Sequence, residues 1–559
     1  MPATSPIEPV TRTDHSPCLQ RTPRRWMPGL LLGLGLMTGC ATGPGGMPAL
    51  SFAEPGAGAV PDPLAPLAPP RPRVWPDPAQ DVLNQRARGF GLVHAPDLQR
   101  YLNGLYARIK AQAGVAAWPG EVHIVANESL EAYATAAGNL YVSLPWLSSV
   151  ESEDELVALL GHEFGHVYLH YHQLEGAIQD ADVAAGTVGI GVAIVKKTGQ
   201  VSGWNQLDSL MAAYSLGKGL ATTVYSRSQE SAADSFGLNV SLRMGYSYDH
   251  GLKAFLERIA SWEDGNRERE ERRQEQLMAA IRADAMAKAH KSAGNGKPPD
   301  AVQLRVAQTT GELQGAFAAT VQRWGFQLEQ QMGKLSSGHP DITARIDALA
   351  RAVEAAPAAH TDAEPVAAPL LAARSAKQTA VILSHYDLAF RALGAPGDPA
   401  SVATARRATT GPTASHAVPL FALYTVLGQQ PGVRNRRAPD PALVLEANFH
   451  SEPDRAWKLY TVRSAALKSS HDVASAKKVM ESGMAYFGKA EDAWPDAIRF
   501  YGETQGWDEA RRRAADCGKL FRNAAARCNA AAVSPGEQAE ADRKAQAKAE
   551  NLFDKVFKK

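Results

Sequence analysis

Residues 151–170 read Glu-Ser-Glu-Asp-Glu-Leu-Val-Ala-Leu-Leu-Gly-His-Glu-Phe-Gly-His-Val-Tyr-Leu-His, with His162-Glu163-Phe164-Gly165-His166 at their centre. The stretch predicts a helix. Ser152 and Glu155 are spaced as a capping box, and the acidic turn of Glu153, Asp154 and Glu155 suits the positive end of a helix dipole. Leu156, Leu159, Leu160 and Val167 follow at helical spacing. Residues four apart on a helix lie about 5–6 Å apart at Cβ, so His162 and His166 can bring two imidazoles onto one tetrahedral zinc ion at roughly 2.0–2.1 Å. Glu163 then stands beside the ion without ligating it, where a general base for an activated water belongs. Two His and a Glu also meet at this spacing by chance, so the reading needs a third ligand downstream.

Two candidates compete for that place. His172 lies ten residues after His162, the position of the third His in the metzincin pattern HExxHxxGxxH. That pattern needs a Gly to break the helix, and this chain has Leu169, so the helix continues and His172 points elsewhere. His170, one turn beyond His166, reads as a flanking histidine. The stronger candidate is Glu230 in Tyr225-Ser226-Arg227-Ser228-Gln229-Glu230-Ser231-Ala232-Ala233-Asp234. Ser226 and Gln229 form a second capping pattern, which puts Glu230 and Asp234 on one helical face. Glu230 completes a His₂Glu set with an open fourth position, and Asp234 can orient the free ring nitrogen of a ligand His.

Gly161-His162-Glu163-Phe164-Gly165-His166-Val167, the later Ser226-Arg227-Ser228-Gln229-Glu230 with Ala233-Asp234, and His339-Pro340 with Arg345-Ile346 together resemble metallopeptidase family forty-eight, the group of the HtpX-like and CAAX prenyl proteases. The resemblance covers roughly residues 80–355, and its motifs occur in the family's order. It implies a zinc-dependent endopeptidase, with Arg345 supporting the site and His339 brought to it. His339 would either donate to the tetrahedral oxyanion or occupy the fourth metal position as a latch; the latch is the expected role, because its loop joins a long helical insertion. Integral-membrane members carry several transmembrane helices, and this chain shows none after its amino-terminal apolar run. It therefore resembles the periplasmic lipoprotein, outer-membrane quality-control branch.

The amino terminus agrees with that branch. Arg21, Arg24 and Arg25 precede an apolar run, residues 30–37, that is too short to span a bilayer and suits a signal h-region. Thr38-Gly39-Cys40 then resembles a lipobox, which makes residues 1–39 a signal peptide and Cys40 the lipidated residue. Residues 40–79 are rich in Pro, Gly and Ala, as in Pro66-Leu67-Ala68-Pro69-Pro70-Arg71-Pro72, and cannot bury a core; they read as a tether. The net charge of +1 over 559 residues and the lack of basic runs with interleaved aromatics exclude a nucleic-acid surface. Of four Cys, Cys18 lies in the leader and Cys40 in the lipobox, which leaves Cys517 and Cys528. An exported context permits a disulfide between them, with two buried free thiols as the alternative.

Within the peptidase domain, expected over 80–355, Leu98, Tyr101, Leu102, Leu105, Tyr106 and Ile109 share one helical face. Glu121–Val125 and Asn139–Ser143 read as strands around a turn at Ala136-Ala137-Gly138, and the resemblance implies that the second is a sheet edge over the cleft, able to pair with an extended peptide. Residues 183–195 are apolar and Gly-rich, suiting buried helix packing or a flap. A charge-dense helical insertion follows at about 262–335. The Pro-rich passage 356–371 reads as a linker. Residues 372–559 read as α-helical, with a loop from about 393 to 416. There Ala456-Trp457 and Ala493-Trp494, 37 residues apart, suggest tetratricopeptide-like hairpins.

The expected fold is thus α+β, mostly α: a gluzincin-like zinc metalloprotease core with a small edge sheet, followed by helices. The expected function is a zinc metalloendopeptidase, with one Zn²⁺ per chain, on the periplasmic side of the outer membrane. It would cleave unfolded or misassembled envelope proteins and meet outer-membrane assembly machinery through its carboxy-terminal helices, with no nucleic-acid partner. The alternative is a lipoprotein scaffold or chaperone with a latent zinc site.

Overall fold

A computed structural model describes residues 62–67, 75–169, 227–265, 342–356, 364–429 and 440–540. Cys40 and its leader, most of the tether, residues 183–195, His170, His172, Ser226, His339 and nearly all of the 262–335 insertion lie outside these residues. The first helix, α1 (Pro78–Ala87), starts where the Asp77 side chain accepts from Ala79 N at 2.9 Å and Pro78 takes the first position. Gly89 and Gly91, both at positive φ, then turn the chain. Leu92 forms a bridge with Val125, and Val93 N donates to Ile124 O at 2.8 Å. Helix α2 (Pro96–Gln112) buries Leu98, Leu102, Leu105, Tyr106 and Ile109.

The sheet has three strands, in the order β1 (Val122–Val125), β3 (Leu140–Ser143), β2 (Ala132–Ala134). β1 runs parallel to β3 and β2 antiparallel to it, so that His123 and Tyr133 both face Tyr141 across the register. This corrects the sequence reading at β3, which is the central strand, every residue of it buried. The edge role expected of it falls to β2. Three residues of Ala-Tyr-Ala are too short for an alternating pattern to be read, and the parallel return between β1 and β3 leaves room for them.

After α3 (Leu144–Ser149), helix α4 covers residues 153–169. Ser152 Oγ accepts from Glu155 N at 3.1 Å, and Glu155 Oε2 accepts from Glu151 N at 3.1 Å, a capping box shifted by one residue. The acidic turn does more than meet the dipole, because all three carboxylates are buried. Glu153 accepts from Tyr101 Oη at 2.6 Å and from Tyr246 Oη. Asp154 accepts from Ser247 N at 2.9 Å and Val366 N at 2.8 Å, and Glu155 accepts from the Arg258 guanidinium. The first turn of α4 is therefore a tie point for three later segments. Helix α5 (Arg227–Arg243), a π-helical turn Asp249–Lys253 running into α6 (residues 254–265), and α7 (Ile342–Glu354) pack around it.

The carboxy-terminal helices are α8 (Ala368–Ser375), α9 (Lys377–Gly394), α10 (Pro399–Ala408), α11 (Ala417–Gln429), α12 (Trp457–Ser469), α13 (Val473–Phe487), α14 (Trp494–Gln505), α15 (Trp507–Leu520) and α16 (Ala525–Ala531). Helix α10 occupies the expected loop, started by the Asp398 side chain accepting from Ala400 N at 2.8 Å. α12 packs on α13 and α14 on α15 as consecutive pairs. Cys517 and Cys528, both fully buried, form a disulfide.

The passage 356–371 does not separate two cores. Leu370, Ile382, Tyr386, Ala389, Val418 and Ala422 belong to the same apolar cluster as Leu98, Leu140 and Leu160. Helix α1 reinforces the union. Its Asp81 accepts from Thr135 Oγ1, Asn139 Nδ2 and Tyr141 Oη of the sheet at 2.7–2.8 Å, while Gln80 donates to Lys489 O at 2.6 Å and Arg86 to Tyr486 Oη at 2.8 Å. Just beyond it, Arg88 pairs with Asp492, which also accepts from Arg527. No helix among the described residues is long and apolar enough to cross a membrane.

Candidate metal centre

His162 and His166 of α4 meet Glu230 of α5 in a space closed to solvent, each at most 2% exposed. The two Nε2 atoms are 3.1 Å apart, Glu230 Oε1 is 3.4 Å from His166 Nε2, and Oε2 is 3.6 Å from His162 Nε2. Four ligands at about 2.0–2.1 Å from a zinc ion define a tetrahedron with edges of about 3.3–3.4 Å. The three observed edges scatter around that value. Direct charge-assisted N–H···O bonds are shorter, about 2.7–2.9 Å, so the carboxylate is spaced for a shared cation rather than for ion pairs with the rings. Among the described residues this is the one cluster of three His, Cys, Asp or Glu side chains with that convergence.

Small residues make the convergence possible. A Cβ added to Gly165 would lie 3.1 Å from Ala233 Cα, and one added to Gly237 would lie 3.0 Å from His162 N. Gly161 and Gly165 on α4 thus meet Ala233 and Gly237 on α5 nearly backbone to backbone, which brings Glu230 within reach of the histidines. The sequence carries this signal in two small residues four apart on each helix, and the reading of the ligands alone passes over it.

A second layer holds the cluster. Asp234, one turn after Glu230, sets Oδ1 3.0 Å from His162 Nδ1. Arg345 of α7 donates to both Asp234 oxygens, at 2.7 and 2.6 Å, and lies 3.2 Å from Glu230 Oε2. Burial opposes a charge on His162, but Asp234 and Glu230 outweigh it and raise its pKa above the ordinary histidine value. Burial likewise works against ionised Asp234, and Arg345 with His162 overrides it, holding the carboxyl below its ordinary value. Glu163, 7% exposed, adds its carboxylate close enough to act on both His162 and Arg345. Three carboxylates against one guanidinium leave a formal charge that suits a divalent cation. The Phe255 ring, with its centroid 5.4 Å from that of His162, closes the apolar side.

The structure therefore brings together His162, Glu163, His166, Glu230, Asp234 and Arg345. Cys40, His172 and His339 lie outside the described residues, and the Cys517–Cys528 pair belongs to the α15–α16 hairpin, away from this cluster. Sequence reasoning missed Phe255 and the tie points Glu153 to Glu155, whose partners lie roughly 50 to 210 residues away in the chain.

A helix-borne pair of His with an intervening Glu, a later helical carboxylate and a small sheet are the parts of a metallopeptidase of the HExxH type. Residues 95–353 match the model of Peptidase family M48. Two curated relatives are the beta-barrel assembly-enhancing proteases of Yersinia pestis, 25% identical over 172 residues, and of Escherichia coli (strain K12), 23% identical over 183 residues. The matched stretches cover 30% and 32% of this chain and 34% and 36% of those proteins, so the likeness spans about a third of their length.

Proposed function

We propose that the chain is a zinc-dependent endopeptidase of the bacterial cell envelope that hydrolyses unfolded or misassembled envelope proteins. The observation that carries the reading is the His162–His166–Glu230 triangle, whose edges fit a tetrahedral cation. These three residues would hold the ion. When bound, zinc supplies Lewis-acid polarisation of a scissile carbonyl and acidifies water. Glu163, next to His162 on the same helix and still slightly exposed, is the carboxylate placed to take and return a proton. Asp234 faces Nδ1 of His162, which favours the tautomer with its proton there and turns the Nε2 lone pair toward the cluster. Arg345 fixes Asp234 with two parallel bonds and offsets the carboxylate charge.

Cys40 lipidation, the periplasmic side of the outer membrane as location, and contact with outer-membrane assembly machinery through the carboxy-terminal helices belong to the same proposal. So do the tetratricopeptide-like character of those helices and the place of His339 in the active site. The test of the enzyme reading is digestion of casein by wild type and Glu163→Gln, with zinc measured in both. Glu163→Gln is expected to keep its zinc and lose about 10²–10⁴-fold in rate, the range for a removed general base. Equal rates would leave a scaffold with a latent site. For His339→Ala, faster cleavage marks a latch, and a loss of about 10²–10³-fold marks an oxyanion donor.

A further inference from the structure

Part of the expected tether is docked on the peptidase. Residues 62–67, Asp-Pro-Leu-Ala-Pro-Leu, lie against the carboxy-terminal half of α5. Asn239, 4% exposed, donates through Nδ2 to Pro63 O and to Ala65 O, both at 2.8 Å. Arg243 donates to Leu64 O at 2.6 Å and Ala65 O at 3.3 Å, and its Nε donates to Asn239 Oδ1 at 2.9 Å, which turns the amide protons toward the segment. Leu64 and Leu67 pack against the main apolar core. Ala65 N closes a turn on Asp62 O at 3.1 Å, and the Asp62 side chain accepts from Leu64 N at 2.9 Å. The segment is thus recognised by its main-chain carbonyls and anchored by two leucines, as an extended peptide is held in a groove.

The helix it binds needs such a hold. α5 crosses α4 at Gly161, Gly165, Ala233 and Gly237 nearly backbone to backbone, and beside that approach Phe236 packs against Phe164 and Tyr168. Ridges and grooves set the register of most helix pairs, and the glycine-lined part of this crossing offers few of them, so polar contacts add to the Phe236 packing in fixing how far α5 slides and turns. Arg345 grips it at Asp234. Asn239 and Arg243 grip it about one and a half and two and a half turns further on, and Asn239 lies about 13 Å along the axis from Glu230.

We propose that residues 62–67 are a strap that positions α5, so that the placement of Glu230 and Asp234 depends on the strap being seated; Asn239 and Arg243 are positioning residues. This rests on the zinc reading of the centre. The test uses the full chain in three variants: Asn239→Ala, Asn239→Asp, and the double change Leu64→Asp with Leu67→Asp. Zinc loss to a competing chelator and amide hydrogen exchange across residues 231–243 are measured for each. All three should lose about tenfold in zinc affinity, the lower end for removed supporting contacts, and exchange faster in α5 than wild type, with α12 and α13 unchanged. Asn239→Asp keeps the volume but has no protons to give, so it should be at least as damaging as Asn239→Ala; a packing role would make it the milder change. Wild-type zinc retention and wild-type α5 exchange in the leucine double variant would overturn the strap. If wild type itself holds no zinc, the metal reading fails, and α5 exchange still decides whether the strap positions the helix.

Discussion

Glu230 is favoured as the third ligand by what surrounds it rather than by its chemistry. Either it or His172 can bind zinc, yet Glu230 has His162, His166 and Arg345 within 3.6 Å. Glu230→Ala should therefore release the metal during dialysis while His172→Ala retains it, as metal analysis of the two proteins would show; the reverse result would revive the metzincin pattern. The sequence made the His162, Glu163, His166 set readable because a helix converts a spacing of four into a shared face, and the same rule linked Glu230 to Asp234. Arg345 entered by family resemblance alone, since nothing near it in the chain reports a partner 111 residues away. Glu131 escaped notice for the same reason. Burial pushes its carboxyl up to about 7 although Ser129 and Asn127 oppose the shift, and no local pattern announces that burial.

At the scale of elements, the crossing of α4 and α5 carries the most specific expectation. Gly165→Ala would thrust a methyl to 3.1 Å from Ala233 Cα, and backbone cannot yield as a flexible side chain does. The variant should lose about 1–3 kcal/mol of stability, the usual cost of overpacking, and bind zinc more weakly because Glu230 is carried away from the histidines. Gly104 in α2 serves as the control: it is exposed, with nothing within 4 Å of an added Cβ, so Gly104→Ala should stabilise by about 0.5–1 kcal/mol. Thermal unfolding and zinc titration of the two variants check the pair; a harmless Gly165→Ala would mean the helices do not meet as described. Helices were legible where an apolar face stood out, as in α2, or where one coincided with a cap, as in α4. β2 was not, because three residues contain too little alternation, and with it went the order of the sheet and the place of its edge.

Across the whole molecule, the peptidase and the carboxy-terminal helices form one packed body, which the Pro-rich passage at 356–371 concealed. Composition marks where a chain is loosely built, whereas a continuous core depends on which distant faces meet. Asp492 is the electrostatic centre of that union. Burial disfavours its charge, but Arg88 and Arg527 hold its pKa below the ordinary value. Its contribution is thus present above about pH 4, the unfolded value, and is lost as pH falls through the lower folded one. Asp492→Ala should cost about 1.5–3 kcal/mol at neutral pH, the range for a hydrogen bond to a charged group, because Arg88 and Arg527 keep Glu491 as a partner, and remove that part of the acid sensitivity; unfolding at pH 7 and pH 3 would reveal a variant no different from wild type if the network were idle. The docking of α1 also sets an order in time. Gln80, Arg86 and Arg88 find their partners 400 to 409 residues later in the chain, and at about 5–20 residues per second a ribosome needs roughly 20–80 s to deliver them. Over that interval the outer face of α1 has no native surface to cover it, so a nascent chain must keep this helix from other partners until nearly the last helical pair has emerged.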